Sequence, residues 1–214
     1  MKELGYESVG TVEFLVDEQD NAYFIEVNTR VQVEHPITEI VTGIDIVQRM
    51  IEIAAGDKLK YEQNQIQTRG YAIEFRINSE DPQNNFMPTA GIVKKYLTPG
   101  GPGVRLDTSL YTGYELPTCY DSMLGKLIVW ALDWEGAVAK AKRALDEFQI
   151  DGFNTNISLH REIVKDEDFK NGKFDTGYFD AHMSKFHFDA NNAITKDEAK
   201  ENILVLPEND LTLY

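Results

Sequence analysis

From Glu26 to Glu34 the chain reads Glu-Val-Asn-Thr-Arg-Val-Gln-Val-Glu, an unbroken alternation of polar with apolar or β-branched residues. A period of two belongs to an extended strand. It predicts one face carrying Glu26, Asn28, Arg30, Gln32 and Glu34 and an opposite face carrying Val27, Thr29, Val31 and Val33. A solvated strand edge alternates in the same way, so the period alone does not define a site. The polar face is unusual in its chemistry: two carboxylates, two amides and a guanidinium in single file, a donor set able to hold a metal, an oxyanion and a base together.

Val9 to Val16 forms a second strand-like run, joined to a longer one, Ala22 to Val33, by the polar loop Asp17-Glu18-Gln19-Asp20-Asn21, which is a hairpin signal. If Asp17 pairs with Ala22, Glu13 stands directly opposite Glu26. Two like charges about 5 Å apart at an effective dielectric of about 20 repel by on the order of 3 kcal/mol. A divalent cation would convert that repulsion into binding energy, with Asn28 alongside as a further oxygen donor. The alternative is a different register with both carboxylates solvated. The residues by themselves leave both readings open.

Pro36 begins a helix-like stretch, and Asp45 reads as the N-cap of a second helix in which Ile46, Met50, Ile53 and Ala54 form an apolar stripe and Gly56 the stop. These four are expected in the core. Two strands and two helices bury too little to stand alone, so this first segment is expected to lack a preceding partner. After the polar linker 58–68, the run 70–78 alternates with Tyr71, Ile73, Phe75 and Ile77 inward and Glu74, Arg76 and Asn78 outward. Residues 91–97 and 124–132 read as further strands around the turn-rich Pro99-Gly100-Gly101-Pro102-Gly103. That glycine cluster lacks the Lys-Ser/Thr ending of a phosphate loop. Asp133 caps a predicted helix ending near Phe148, with Val138, Ala141, Leu145 and Phe148 inward and Asp151-Gly152 closing it. Asn156 reads as the N-cap of another helix, Ile157 to Lys165. Beyond about Lys185 the chain reads as a polar tail with one apolar island, Ile203 to Leu206.

Of 214 residues, 42% are hydrophobic, which supports a buried core, and the net charge of −15 argues against nucleic acid or an anionic membrane as partner. Arg30 is the only Lys or Arg between Glu3 and Gln48, so an anion held there depends on Arg30, on backbone N–H groups or on a bound cation. No apolar run reaches the roughly 20 residues of a membrane span, and no signal-peptide pattern opens the chain. The single Cys119 cannot form an internal disulfide and is read as structural, and a reducing cytoplasm is expected.

Glu13, Glu26 and Asn28, followed by Arg30-Val31-Gln32-Val33-Glu34-His35-Pro36, resemble the biotin carboxylase branch of the ATP-grasp enzymes. The resemblance continues through Ile37-Thr38-Glu39, Ala54-Ala55-Gly56, Glu74-Phe75-Arg76-Ile77-Asn78-Ser79-Glu80-Asp81-Pro82 and Tyr120-Asp121-Ser122-Met123-Leu124-Gly125-Lys126-Leu127, over roughly residues 5 to 180. It implies an α+β fold: residues 1–60 as the C-terminal part of an ATP-grasp domain, 61–184 as the biotin carboxylase C-terminal domain with an antiparallel sheet and helices, and 185–214 as a tail or linker. In such enzymes ATP activates bicarbonate as carboxyphosphate, which delivers CO₂ to N1 of biotin on a carrier protein or domain.

Carried over residue by residue, the resemblance makes Glu13, Glu26 and Asn28 the ligands of Mg²⁺ or Mn²⁺, with Glu13 and Glu26 also nucleotide-binding. Arg30, Gln32 and the backbone N–H of Val33 would hold bicarbonate, with Glu34 as the general base. Arg76 would stabilise the oxygen charge that develops on biotin; without the resemblance it reads as an exposed strand arginine. Leu15 and Ile25 would pack against the purine, whereas as bare residues they read as core. His35 before Pro36 reads as structural, and Asp121 and Lys126 are placed near the biotin end or a subunit interface. The implied partners are a biotin carboxyl carrier protein or domain, a carboxyltransferase component, the N-terminal part of the same enzyme and a second copy in a homodimer. The family's N-terminal domain and glycine-rich lid have no counterpart here, so the chain is expected to be inactive alone. The alternative from another class is a noncatalytic dimerisation or docking module.

Overall fold

The computed structural model describes residues 2–188. The apolar island 203–206 lies outside them. The chain divides into two compact units, the first comprising the described residues up to Phe75, Pro102–Arg105 and Lys126–Ala141, the second Arg76–Gly101, Leu106–Gly125 and the described residues from Lys142 onward. Helices and antiparallel strand pairs share the chain, as an α+β fold requires.

In the first unit, β1 (Thr11–Val16) and β2 (Ala22–Asn28) form an antiparallel hairpin. Asp17 organises the turn: Oδ1 accepts the N–H groups of Gln19 and Asn21, each at 2.9 Å, and Oδ2 accepts Asn21 Nδ2 at 3.0 Å. These donors, the Asn21 side chain first, hold its carboxyl below the usual carboxylate range. Apolar residues on both faces of the hairpin, among them Phe14, Leu15, Phe24 and Ile25, are exposed. Expected as core, Leu15 and Ile25 are therefore not buried within the described residues.

α1 (His35–Thr42) has Pro36 at its start, where a missing N–H costs nothing. It ends at Gly43, whose left-handed φ of 74° suits glycine. α2 (Ile46–Ala54) is capped as predicted, Asp45 Oδ1 accepting the Gln48 N–H at 2.7 Å. Its apolar stripe is not core: Ile46, Met50 and Ile53 are half-buried and Ala54 is exposed, because no layer of the described chain covers that side completely. Glu39, 9% exposed, ties the two helices to their own unit: one oxygen accepts the Ile46 N–H at 2.9 Å and the other pairs with Arg105 at 2.7 Å.

β3 (Tyr71–Asn78) falls close to the alternating run. Phe75 and Ile77 are buried, but Tyr71 is exposed, its ring meeting Trp134 edge-on at 6.3 Å. β4 (Glu80–Asp81) pairs with β5 (Met87–Pro88). The strand expected over 91–97 shrinks to β6 (Lys95–Leu97), with Ile92 making only an isolated bridge to Glu115. β7 (Val104–Thr108) was not foreseen; with β8 (Met123–Ala131) it forms a sheet in the order β3-β8-β7, which leaves β3 at an edge.

α3 (Trp134–Glu147) starts where Asp133 Oδ1 accepts the Gly136 N–H at 2.6 Å. Val138, Ala141, Leu145 and Phe148 are all buried, as the helical period requires. Asp151-Gly152 does not close this helix; β9 (Gln149–Asp151) intervenes and pairs with β6. α4 (Ile157–Lys165) has the predicted bounds, and two short helices follow, α5 (Glu167–Lys170) and α6 (Tyr178–His182). Phe148, Ile150, Ile157 and Val164 are almost fully enclosed in the second unit, each contributing roughly 1.5–3 kcal/mol of apolar burial.

Gly152 carries a tight geometric demand. Its φ is +129°, and a Cβ there would collide with the carbonyl oxygen of Ile92 beside the Lys94 N–H to Asp151 O bond of 2.7 Å. Gly152→Ala is therefore expected to lower stability by about 2 kcal/mol or more, through backbone strain and overpacking together. An unchanged denaturant midpoint would contradict that close approach.

Candidate active site

The hairpin brings Glu13 and Glu26 face to face by a different route from the simple register. Next to the turn Val16, not Asp17, pairs with Ala22, and Phe14 pairs with Phe24. A bulge then offsets the strands, so that Glu13 pairs with Glu26, Val12 with Val27 and Thr11 with Asn28. The extra residue is Ile25, and bulges of this kind re-aim side chains near functional sites.

The strand ends at Asn28. Arg30, Gln32, Val33 and Glu34 lie in the loop before α1, and the expected continuous strand to Val33 is not formed. The reason is visible in the pairing: β1 begins at Thr11, opposite Asn28, and offers no ladder partner beyond it. Side-chain hydrogen bonds now gather the row. Asn28 Nδ2 donates to Glu13 Oε1 at 2.8 Å and to Glu26 Oε1 at 2.9 Å, while Gln32 Nε2 donates to the same Glu13 oxygen at 2.7 Å. The Asn28 amide thus links the two carboxylates, and the Gln32 amide adds a second donor to Glu13. Arg30 Nη2 approaches Asn28 Oδ1 at 3.5 Å, and Nη1 donates to the Val31 carbonyl at 3.1 Å.

The loop is fastened by two further contacts. His35 Nδ1 donates to the Gln32 carbonyl at 2.7 Å, which gives this histidine a structural task, and Lys126 Nζ on β8 donates to the Val33 carbonyl at 3.1 Å. Lys126 thus supports the first unit's loop, a role its sequence context does not suggest. Glu34 is exposed at the N-cap position of α1, and its side chain does not cap the helix.

Arg76 stands in the second unit on β3, exposed between buried Phe75 and Ile77. Its carbonyl accepts Asn156 Nδ2 and His160 Nε2, each at 3.0 Å. A carbonyl can only accept, so His160 carries its proton on Nε2, and burial pushes the ring's pKa below the ordinary histidine value.

Asp166, Asp168 and His182 also converge in the second unit, with ligand atoms within 4.8 Å of one another. Their bonds are those of a structural node. Asp166 Oδ1 accepts the N–H groups of Asp168 and Phe169 and the Tyr178 hydroxyl at 3.0–3.1 Å, capping α5; His182 Nδ1 donates to the Tyr178 carbonyl at 2.8 Å, and its ring stacks on Tyr178.

Residues 74–181 match the family described as biotin carboxylase C-terminal domain, and residues 1–62 match the carbamoyl-phosphate synthase L chain ATP-binding domain. The chain is 50% identical over 187 residues to the 2-oxoglutarate carboxylase small subunit of Hydrogenobacter thermophilus, covering 87% of this chain and 40% of that protein. It is 50% identical over 179 residues to the chloroplastic biotin carboxylase of Arabidopsis thaliana, covering 84% of this chain and 33% of that protein. Among solved structures, the biotin carboxylase domain dimer of the Hydrogenobacter enzyme, in complex with MgADP, ADP and bicarbonate, superposes with a TM-score of 0.85 at 50% identity, over 88% of this chain and 42% of that one. An α+β fold with a carboxylate-lined hairpin, matched by both domain families, defines an ATP-grasp type of carboxylase component. The chain belongs to the biotin carboxylase family, and it spans about 40% or less of the length of these curated relatives.

At the Asp166 node, burial opposes ionisation, but the Phe169 N–H, the Tyr178 hydroxyl, His182 and the Asp168 N–H together hold the carboxyl below its ordinary value. The ionised form therefore stabilises the fold fully above the unfolded value of about 3.9, and this contribution is lost as pH falls through the lower folded value. Amide exchange over residues 167–182 is expected to accelerate in that acid window and to do so less in Asp166→Asn, which starts less protected at neutral pH. Identical acid profiles in the two proteins would remove Asp166 from the node.

Proposed function

We propose that the chain is the C-terminal part of a biotin carboxylase, which carboxylates N1 of carrier-bound biotin with ATP and bicarbonate through carboxyphosphate. The observation that carries this reading is the Glu13–Glu26 pair, bridged by Asn28, with Gln32 donating to Glu13 and Arg30 alongside. Two carboxylates held opposite each other give converging hard oxygen donors, and an amide turned about its last torsion adds the Asn28 oxygen, so the set fits Mg²⁺ or Mn²⁺. When bound, such an ion would supply positive charge that offsets the charge developing on the ATP phosphates. Leu15 and Ile25, exposed on the same hairpin, supply apolar surface for the purine.

Arg30, Gln32 and the Val33 N–H hold bicarbonate, the planar guanidinium matching a planar oxyanion. The Glu34 carboxylate takes the bicarbonate proton; the freed oxygen attacks the γ-phosphorus, the bond to ADP breaks, and carboxyphosphate forms. Carboxyphosphate releases CO₂ and phosphate, biotin N1 gives up its proton to that released phosphate, and the Arg76 guanidinium stabilises the negative charge that builds on the ureido oxygen while N1 bonds to CO₂.

We assign residues 1–60 to the ATP-grasp part and 61–184 to the C-terminal domain, a reading supported by family matches over 1–62 and 74–181, and 185–214 to a tail of which residues 189–214 lie outside the described residues. A biotin carboxyl carrier protein or domain, a carboxyltransferase component, the remaining ATP-grasp part and a second copy in a homodimer are the partners this reading requires. No helix among the described residues is long and apolar enough to cross a membrane, and the net charge of −15 with the lone exposed Cys119 fits the reading of a cytoplasmic protein that does not bind nucleic acid. Alone, the chain is expected to show no bicarbonate-stimulated phosphate release from ATP, because it carries only part of the nucleotide site; stimulated release above a no-enzyme control would overturn this.

In the full-length enzyme, Glu13→Gln or Glu26→Gln should raise the Mg²⁺ concentration needed for half-maximal rate, since one of two negative ligands is lost. An unshifted Mg²⁺ titration would remove the metal assignment. Glu34→Gln should lower ATP cleavage and carboxybiotin formation together, whereas Arg76→Gln should lower carboxybiotin formation by about a hundredfold and spare ATP cleavage. Phosphate release measured beside carboxybiotin formation decides both roles, and equal losses in the Arg76 variant would exclude its assignment.

A further inference from the structure

We infer that Asn156 and His160 are positioning residues for Arg76, closing the open edge of β3 where that guanidinium is carried. This rests on the proposed role of Arg76 and names the groups that hold it. Among the described residues β3 is an edge strand, so the backbone groups of alternate residues turn away from β8 without another described strand to receive them. Arg76 and Asn78 are two apart and share one side of the ladder. Asn156 meets them as a neighbouring strand would: Nδ2 donates to the Arg76 carbonyl at 3.0 Å, Oδ1 accepts the Asn78 N–H at 2.9 Å, and its own N–H donates to the Asn78 carbonyl at 3.1 Å. His160, one turn into α4, adds its Nε2 proton to the Arg76 carbonyl at 3.0 Å.

Position makes Asn156 the N-cap of α4, yet its side chain caps nothing there. An Asn at this position usually satisfies a helix N–H, and that stabilisation is forgone here. The side chain, only 6% exposed, is turned instead to the strand, where it fixes the residue on each side of buried Ile77. Electrostatic stabilisation of a transition state depends on a donor already in place, and a displacement of about 1 Å can cost about a hundredfold in rate. The Arg76 side chain reaches out from an edge with no strand behind it, and these two side chains supply that backing.

The test is made in the full-length enzyme with phosphate release and carboxybiotin formation measured together. Asn156→Asp keeps size and the acceptor for Asn78 but replaces the donor to Arg76 with an acceptor; carboxybiotin formation should fall about tenfold or more while bicarbonate-dependent ATP cleavage changes by less than about twofold. Combined with Arg76→Gln, it should add no further loss, because both act through one guanidinium. His160→Phe should uncouple the two rates in the same direction, and His160→Gln, which retains an N–H donor, should restore coupling. Equal losses of both rates in Asn156→Asp, or multiplied losses in the double variant, would reduce these residues to a structural role. If Asn156→Asp does not fold, the His160 pair decides alone, and equal behaviour of Phe and Gln overturns the inference. Arg76→Gln failing to uncouple would instead sink the role of Arg76 and this inference with it, whereas uncoupling there without uncoupling in the Asn156 and His160 variants overturns the inference only.

Discussion

Two carboxylates on facing strands repel, and the first unit is arranged around that repulsion. The bulge at Ile25 sets Glu13 against Glu26 instead of letting the register pass them by. Asn28 then donates to both carboxylates and Gln32 to Glu13, and Arg30, the one Lys or Arg in the sequence between Glu3 and Gln48, approaches Asn28 Oδ1. Amide donors lower the mutual repulsion of such a pair without neutralising it. The same contacts pull the loop after Asn28 back onto the hairpin, which is how residues in a loop come to share a site with residues in strands.

Loops that carry chemistry need rigid supports. Here Lys126 from β8 and His35 from the first turn of α1 hold successive carbonyls of that loop, those of Val33 and Gln32. Glu39 acts in a similar way a turn further on, joining the start of α2 to Arg105. A buried carboxylate is costly unless paired, and Glu39 uses both oxygens. In the second unit the support is hydrophobic as well as polar: Phe75 and Ile77 anchor β3 from one face, and Asn156 and His160 close its edge. The alternation of buried and exposed positions turns the Arg76 side chain away from its buried neighbours.

Helix bounds were legible where local chemistry sets them. Asp45, Asp133 and Gly56 act within three or four residues of their own position, so α2 and α3 lie where cap and period put them, and α4 has the predicted bounds although the Asn156 side chain does not cap it. The inward face of α3 was equally legible, because a 3.6-residue period describes one helix against one core. The stripe on α2 obeyed the same period and is not core, since a period states which face would be buried and not whether anything covers it. β7 and β9 were missed because each is a short run whose state is decided by a partner strand distant in sequence.

By itself, then, the sequence determined the donor set of the site, the caps and periods of the principal helices and, through the string from Arg30 to Pro36 with Arg76 beyond it, the family. Tertiary structure decided what those residues touch. The alternation from Glu26 to Glu34 reads as one strand, but a strand persists only as far as a ladder partner runs, and β1 stops at Thr11. That Glu13 faces Glu26 depends on a one-residue bulge that no local preference announces. That Lys126 holds the Val33 carbonyl, and Asn156 the Arg76 carbonyl, depends on contacts between residues 93 and 80 positions apart. Such pairs leave no periodic trace, because their geometry exists only once the chain has folded.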